Sequence, residues 1–245
     1  MIRFWRQTFL VLRNELADAL RSRRAIVVLL LYVAAGVLTT NSSISLLQKI
    51  EGELSEALQL EASGQAGTVT SAMWKSDRFR RMVAQAAGDK SLVDDLMGTP
   101  PIVLIYGGLA FFYTPILAIL ISAPRIAEEL SSGSARYALL RTSRLSWSTG
   151  KFLGQVALAG MALVLSGVGA WLIARFRMAA SEGPEVATGM LLAAARAWVF
   201  STAFVGLATG LSHLTRAPGR ATAVGLVGLL VLGVLSWASD HFYGP

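Results

Sequence analysis

Residues 101–123, PIVLIYGGLAFFYTPILAILISA, form an apolar run without a single charged side chain. Such a run is long enough to cross the hydrocarbon core of a bilayer, which requires about 20 helical residues. Residues 124–151, PRIAEELSSGSARYALLRTSRLSWSTGK, follow as a polar connector with a helical pattern of its own. A second apolar run starts directly after this connector. We therefore expect the connector to join two membrane spans and to contact something in the adjoining aqueous compartment.

Long apolar runs elsewhere in the chain meet the same length requirement. The five predicted spans are residues 25–47, 101–123, 152–173, 189–211 and 221–238. The chain has 245 residues, of which 54% are hydrophobic and only 15% are charged. Both observations are typical of an all-α polytopic membrane protein, here organised as one transmembrane domain.

The distribution of charge predicts the orientation of these spans. If the N-terminus is cytoplasmic, residues 1–24, 124–151 and 212–220 lie inside and hold 13 of the 22 Lys and Arg residues with only four acidic residues. The opposite loop, residues 41–100, carries six basic and eight acidic residues. The positive-inside rule therefore predicts a cytoplasmic N-terminus and, with five spans, an extracytoplasmic C-terminus. Topology accounts for the net charge of +7, so we expect no nucleic-acid partner.

The segments outside the spans also carry helical patterns. Residues 1–24 predict an amphipathic helix on the cytoplasmic leaflet, and docking of a partner is an alternative use of the same helix. Its apolar stripe is Trp5, Phe9, Leu12, Leu16 and Ala19. Residues 48–100 predict a cap of two or three short helices, because apolar residues recur at helical spacing around Leu54 and again around Met82.

Four residues inside the spans are candidates for a pathway or an interface. Arg196 is a charge within the fourth span. Snorkelling to the nearby boundary, pairing with Glu182 or Glu185, and lining of a pathway all fit its position. Pro115 predicts a kink in the second span. Gly206 and Gly210 permit close helix packing, either within the chain or in a dimer.

The sequence lacks the residues that common catalytic sites require. It has no cysteine, only two histidines and no acidic residue within the predicted spans. It also lacks the Gly-x-x-x-x-Gly-Lys-Ser/Thr motif of a P-loop. We therefore expect no catalytic, cofactor-binding or metal site, and a protein that is not an enzyme by itself and takes its energy from elsewhere.

The connector resembles the corresponding segment of ABC-2 type permeases, the transmembrane subunits of type-2 ABC exporters. In that family an acidic residue, a Gly-Thr-like turn, a short Leu-Leu helix, a Pro-Ile-Ser-Arg-like stretch and Gly-Lys follow the second span. The matching residues here are Glu128 or Glu129, Gly133-Ser134, Leu139-Leu140, Ser143-Arg144 and Gly150-Lys151. The chain departs from the family in having Thr142 or Ser143 where proline is frequent, and five predicted spans where six are usual.

The resemblance implies a role for the connector and a set of partners. In such permeases this segment is a coupling helix that seats on a separate cytosolic P-loop ATPase subunit, where ATP binds. Two permease subunits, identical or different, form the pathway in the plasma membrane or the bacterial inner membrane. The expected coupling residues are Glu128, Glu129, Arg136, Tyr137, Leu140, Arg141 and Arg144.

The implied function is therefore export of a hydrophobic or amphipathic cargo. Two other functions fit the sequence: a membrane scaffold that recruits a cytosolic partner, and a secondary transporter. Stimulation of a co-purified ATPase would distinguish the exporter from both. A secondary transporter would instead depend on an ion gradient and usually shows internal pseudo-symmetry.

The predicted topology can be tested directly because the chain contains no cysteine. Single cysteines introduced at Ser63 and Ser132 are expected to react with a membrane-impermeant thiol reagent from opposite sides of the membrane. Labelling in intact cells and in inverted vesicles measures this. Reaction of both positions from the same side would contradict the topology.

Overall fold

The structure, a computed structural model, describes residues 2–58, 96–178 and 184–243, together with positions 74, 76, 80, 81 and 83–85. The main helices of this described part are α1 (Ile2–Arg21), α2 (Arg23–Leu58), α3 (Pro101–Ser132), α4 (Ser134–Arg141), α5 (Arg144–Arg177), α6 (Pro184–His213) and α7 (Pro218–Tyr243). Five of them, α2, α3, α5, α6 and α7, are long and apolar enough to cross a membrane. The predicted all-α fold with five spans is confirmed.

The helix that contains the first predicted span is longer than that span. The predicted span ends at Leu47, whereas α2 continues without a break to Leu58. Thr39, Thr40 and Ser43 each donate to the carbonyl four residues earlier, so that the helix itself satisfies their hydroxyl groups. A polar side chain satisfied in this way is compatible with a helix interior. The first predicted helix of the cap is therefore part of α2, and most of the remaining cap, with Ser63 and Met82, lies outside the described residues.

The chain divides into two compact units. One unit comprises Tyr32–Phe112 and Leu163–Ala197. Its core is an apolar cluster in which Tyr106 is almost fully buried and donates its hydroxyl hydrogen to the Leu163 carbonyl at 3.1 Å. Arg177 lies in the same unit and donates to Asn41 Oδ1 at 2.5 Å and to Gln48 Oε1 at 2.9 Å. These bonds join the C-terminal end of α5 to the middle of α2.

The other unit comprises Met1–Leu31, Tyr113–Ala162 and Trp198–Pro245. In this unit Trp198 lies against Gly160, and its indole N–H donates to the Val156 carbonyl at 2.8 Å. A Cβ atom at position 160 would lie 2.9 Å from that indole nitrogen, so glycine is required for the contact. Gly160, within the third predicted span, therefore allows α5 and α6 to approach closely. The predicted coupling segment and all of α1 belong to this unit.

The second span contains two prolines. Helix α3 continues through both Pro115 and Pro124. Each proline removes one backbone N–H donor from the helix. The kink predicted at Pro115 stays a prediction.

Candidate functional site: a buried charge network beneath the connector helix

The connector folds as a short helix held between two breaks. Gly133 has φ +75°, in the left-handed region, and ends α3 before α4 begins at Ser134. Glycine reaches this conformation without the clash that a Cβ atom causes. At the other end Thr142 is extended, and the Ser143 hydroxyl accepts a hydrogen bond from the Ser146 N–H at 3.1 Å. Ser143 thus caps the start of α5.

Helix α1 stabilises the break between α4 and α5, at Thr142 and Ser143, through hydrogen bonds. The Gln7 side-chain carbonyl accepts from the Ser143 N–H at 3.3 Å, and its amide group donates to the Arg141 carbonyl at 3.5 Å. One α1 side chain therefore serves two backbone groups that neither α4 nor α5 can pair internally. The Ser146 hydroxyl adds a bond of 3.5 Å to the Phe4 carbonyl.

A buried carboxylate lies two turns further along α1. Glu15 is 4% exposed, and its Oε1 accepts from Arg125 Nε at 2.9 Å and from Gln155 Nε2 at 2.6 Å. Its Oε2 accepts from the Lys151 ammonium group, which also donates to Glu129. We call Glu15, Arg125, Glu129, Lys151 and Gln155 the charge network. It joins α1, the C-terminal end of α3 and the N-terminal part of α5.

The charge network is electrically balanced. Two carboxylates face one guanidinium and one ammonium group, so the four charges sum to zero. Lys151 is 5% exposed and also lies 5.9 Å from the centroid of the Trp147 ring. Buried charges are tolerated when they are paired and hydrogen-bonded, whereas removal of one partner leaves an uncompensated charge. The network therefore specifies one relative placement of the three helices.

Two glycines allow α1 to approach α5 closely enough for these bonds. A Cβ atom at Gly150 would lie 2.8 Å from the Thr8 carbonyl oxygen, and one at Gly154 would lie 2.7 Å from Glu15 Cγ. Their spacing of four residues places both on the same side of α5. Lys151 and Gln155 each follow one of the glycines, and all four residues line the contact with α1.

The side of α1 that faces the protein differs from the apolar stripe predicted from the sequence. Thr8, Glu15 and Ala19 are buried, whereas Trp5 and Phe9 are exposed. Ala19, predicted as part of the apolar stripe, thus packs against the protein. Trp5 and Phe9 remain available to a membrane surface or a partner.

The seven predicted coupling residues separate into two groups. Two acidic residues pair within the chain: Glu128 with Arg24 at 3.3 Å and Glu129 with Lys151. The other five are exposed, and they are Arg136, Tyr137, Leu140, Arg141 and Arg144. Tyr137 is 75% and Leu140 83% exposed, although both are largely apolar. Exposed apolar side chains on a short helix outside the spans favour a protein contact.

The remaining candidates are Arg196, Pro115, Gly206 and Gly210. Arg196 is exposed on α6, and within the described part of the chain it forms no ion pair or hydrogen bond. Gly206 and Gly210 are also exposed; a Cβ atom at Gly210 would contact nothing within 4 Å, and one at Gly206 only Phe152, at 3.8 Å. Gly206 and Gly210 belong to the same unit as the coupling residues, but neither glycine adjoins a coupling residue.

The charge network was not predicted from the sequence. Glu15 is one of four acidic residues on the predicted cytoplasmic side, and Lys151 was predicted only as a positive charge of the connector and as part of the Gly-Lys match to the family. The available signal was the pair Gly150 and Gly154, four residues apart, directly beside Lys151 and Gln155. That pattern predicts a close helix contact but does not name α1 as the partner.

Comparison with known proteins finds a family that matches this sequence. A family model described as "ABC-2 family transporter protein" matches residues 9–239, nearly the whole chain. No curated protein matches the sequence.

The balance of the charge network gives a prediction about folding. Replacement of Lys151 by methionine leaves two carboxylates without their shared cation, and removal of one partner from a buried pair costs about 3–5 kcal/mol. We expect a clearly lower melting temperature for the Lys151→Met protein in detergent. Arg144→Met, which removes an exposed charge seven residues earlier, is the control and should melt like the wild type. Equal melting of Lys151→Met and Arg144→Met would contradict the role of the network.

Proposed function

Since this chain belongs to the ABC-2 family of transporter proteins, we propose that it is the permease subunit of an ATP-driven exporter and that α4 docks a separate ATPase subunit. Membership of the family makes the chain a multi-pass membrane protein of an ABC transporter. The direction of transport, the docking role of α4 and a cytoplasmic N-terminus are parts of the proposal. The observation that carries it is the exposed apolar surface of α4, between two helices, α3 and α5, that the charge network joins to each other and to α1.

The surface of α4 suits a protein partner better than water. Tyr137 and Leu140 are exposed and apolar, and Arg136 and Arg141 flank them. Protein interfaces commonly combine an aromatic or aliphatic anchor with arginine, which orients the partner. The sequence contains no P-loop, and we therefore assign ATP binding to the separate ATPase subunit. An acidic groove with an apolar floor on the ATPase would match this surface.

The charge network links the two membrane-spanning helices that flank α4, and we propose that it passes a movement of α4 on to them. Helix α4 is only eight residues long and is attached to α3 through Gly133 and to α5 through Ser143. The Glu129–Lys151 pair holds α3 and α5 together. Glu15 of α1 also binds Lys151 and so ties α1 to both helices. A displacement of α4 by the ATPase would therefore move the ends of α3 and α5 together rather than bend the connector alone. Two such permease subunits would form the pathway between them.

Docking can be tested at Leu140. Replacement by aspartate removes an apolar anchor and places an acidic group on a surface that we propose faces an acidic groove. We expect Leu140→Asp to fold as the wild type does but to lose the co-expressed ATPase in pull-down and to lose permease-dependent ATP hydrolysis. Leu214→Asp is a matched control, because Leu214 is 82% exposed in the break between α6 and α7. Retention of the ATPase by Leu140→Asp, or equal loss in both variants, would contradict docking at α4.

Transmission can be tested separately at Glu129. Glu129→Gln keeps the size of the side chain but removes one of the two carboxylates that hold Lys151. We expect this variant to retain the ATPase, while ATP hydrolysis no longer responds to the permease. The neighbouring Glu128→Gln, which affects only the surface pair with Arg24, should keep the response. Loss of the ATPase in Glu129→Gln would instead assign this residue to docking, and an unchanged response would exclude it from coupling.

A further inference from the structure

Helix α6 contains a charge that the docking and transmission proposals leave unexplained. Arg196 is the only charged residue of α6 between Glu185 and His213. Its side chain is exposed, and no described residue supplies an ion-pair or hydrogen-bond partner. Glu185, one of the two partners considered for it, lies eleven residues away, about 16 Å along the helix axis. Glu182, the other, lies outside the described residues.

Direct exposure of Arg196 to lipid would be costly. The helical stretch from Glu185 to His213 is about 42 Å long, whereas the hydrocarbon core of a bilayer is about 30 Å thick. If the core is centred on this stretch, the Arg196 backbone lies about 10 Å below the nearer surface. That depth exceeds what an extended arginine side chain can cover by snorkelling. A charged residue at such a position normally faces a water-filled cavity or a counter-charge.

The counter-charge cannot come from the spans of a second copy of this chain. The five predicted spans contain no acidic residue, and Arg196 is their only charge. Two copies that placed α6 against α6 would bring two arginines together. Within the spans, neither this chain nor an identical copy neutralises Arg196, which leaves water, an anionic ligand or a different permease subunit at this depth.

From this we infer that Arg196 lines an aqueous part of the transport pathway and binds the anionic group of an amphipathic cargo. The inference rests on the proposed permease function. Arginine keeps its charge at all physiological pH values and presents a fork of N–H donors that matches a carboxylate, phosphate or sulfonate. Leu192, one turn away on the same side of α6, is 50% exposed and offers an apolar surface for the rest of such a molecule. Arg196 would then select a negative headgroup on a molecule with an apolar part.

The absence of cysteine makes the aqueous environment of Arg196 measurable. A single cysteine at Leu192 would be labelled in the assembled permease–ATPase complex in membranes, with an anionic sulfonate-bearing and a cationic trimethylammonium-bearing methanethiosulfonate reagent. We expect the Leu192→Cys protein to react with both and to favour the anionic reagent, relative to a free thiol. Addition of Arg196→Gln should lower the ratio of anionic to cationic rates about tenfold, because one unit charge about 6 Å away acts on the two reagents in opposite directions.

A matched cysteine on the same helix provides the control. Leu191 is 49% exposed at nearly the same depth, but it lies roughly 140° around α6 from Arg196. Leu191→Cys should react much more slowly than Leu192→Cys. No reaction at Leu192, equal rates at both positions, or a rate ratio unchanged by Arg196→Gln would overturn the inference. An acidic group supplied by a different permease subunit would abolish the preference for the anionic reagent and would overturn it as well.

Failure of the inference about Arg196 can be distinguished from failure of the proposed permease function. If the chain is not an ATPase-coupled permease, no ATPase co-purifies and no permease-dependent hydrolysis is seen in the cysteine variants or their parent. If only the inference is wrong, that hydrolysis is present while the labelling pattern fails.

Discussion

The buried carboxylate of Glu15 is the constraint on which the arrangement of the connector depends. An isolated charge in a protein interior is strongly unfavourable, so its stability requires donors at fixed positions. Arg125, Lys151 and Gln155 supply them from two helices that are more than 100 residues away in the chain. The bonds from Lys151 and Gln155 require α1 to lie against α5, and the contact exists only because Gly150 and Gly154 have no side chain. The placement of α1 is thus determined by one acidic residue and two glycines.

With α1 in this place, the inner side of α1 belongs to the protein core, whereas its outer side and the surface of α4 are exposed. The side of α1 that carries Thr8 and Glu15 is used by the protein, whereas Trp5 and Phe9 stay outside. Helix α4 contributes little to the core, where Ala135 is its buried residue, and exposes Tyr137 and Leu140. A helix that is anchored at both ends but not along its length can receive a partner without being unfolded by it. The proposed division of labour follows: α4 contacts the ATPase, and the charge network transmits its displacement.

Hydropathy and turn chemistry predicted much of this structure. The spans followed from long apolar runs, which are a local signal, and the turn at Gly133-Ser134 was expected from the resemblance to the family. The continuity of α2 beyond Leu47 was not predicted, because hydropathy falls there although the helix carbonyls satisfy the Thr and Ser hydroxyls. The partners of Glu15 could not be predicted, because an ion pair between residues 15 and 151 depends on tertiary packing and leaves no periodic signal. Glu129 was expected at the ATPase contact, and its pairing with Lys151 assigns it to transmission in our proposal.

The central claim is that α1, α4 and the ends of α3 and α5 move as one body during ATP turnover. The most direct test is a distance measurement between spin labels in the reconstituted permease–ATPase complex, with and without trapped nucleotide. Labels at Arg13 on α1 and Ser134 on α4, both exposed, would report the distance between two helices of this body without replacing a proposed docking residue. The account predicts an unchanged distance between these two labels, while the distance from Ser134 to its counterpart in the second permease subunit changes. A change between Arg13 and Ser134 of similar size would contradict it.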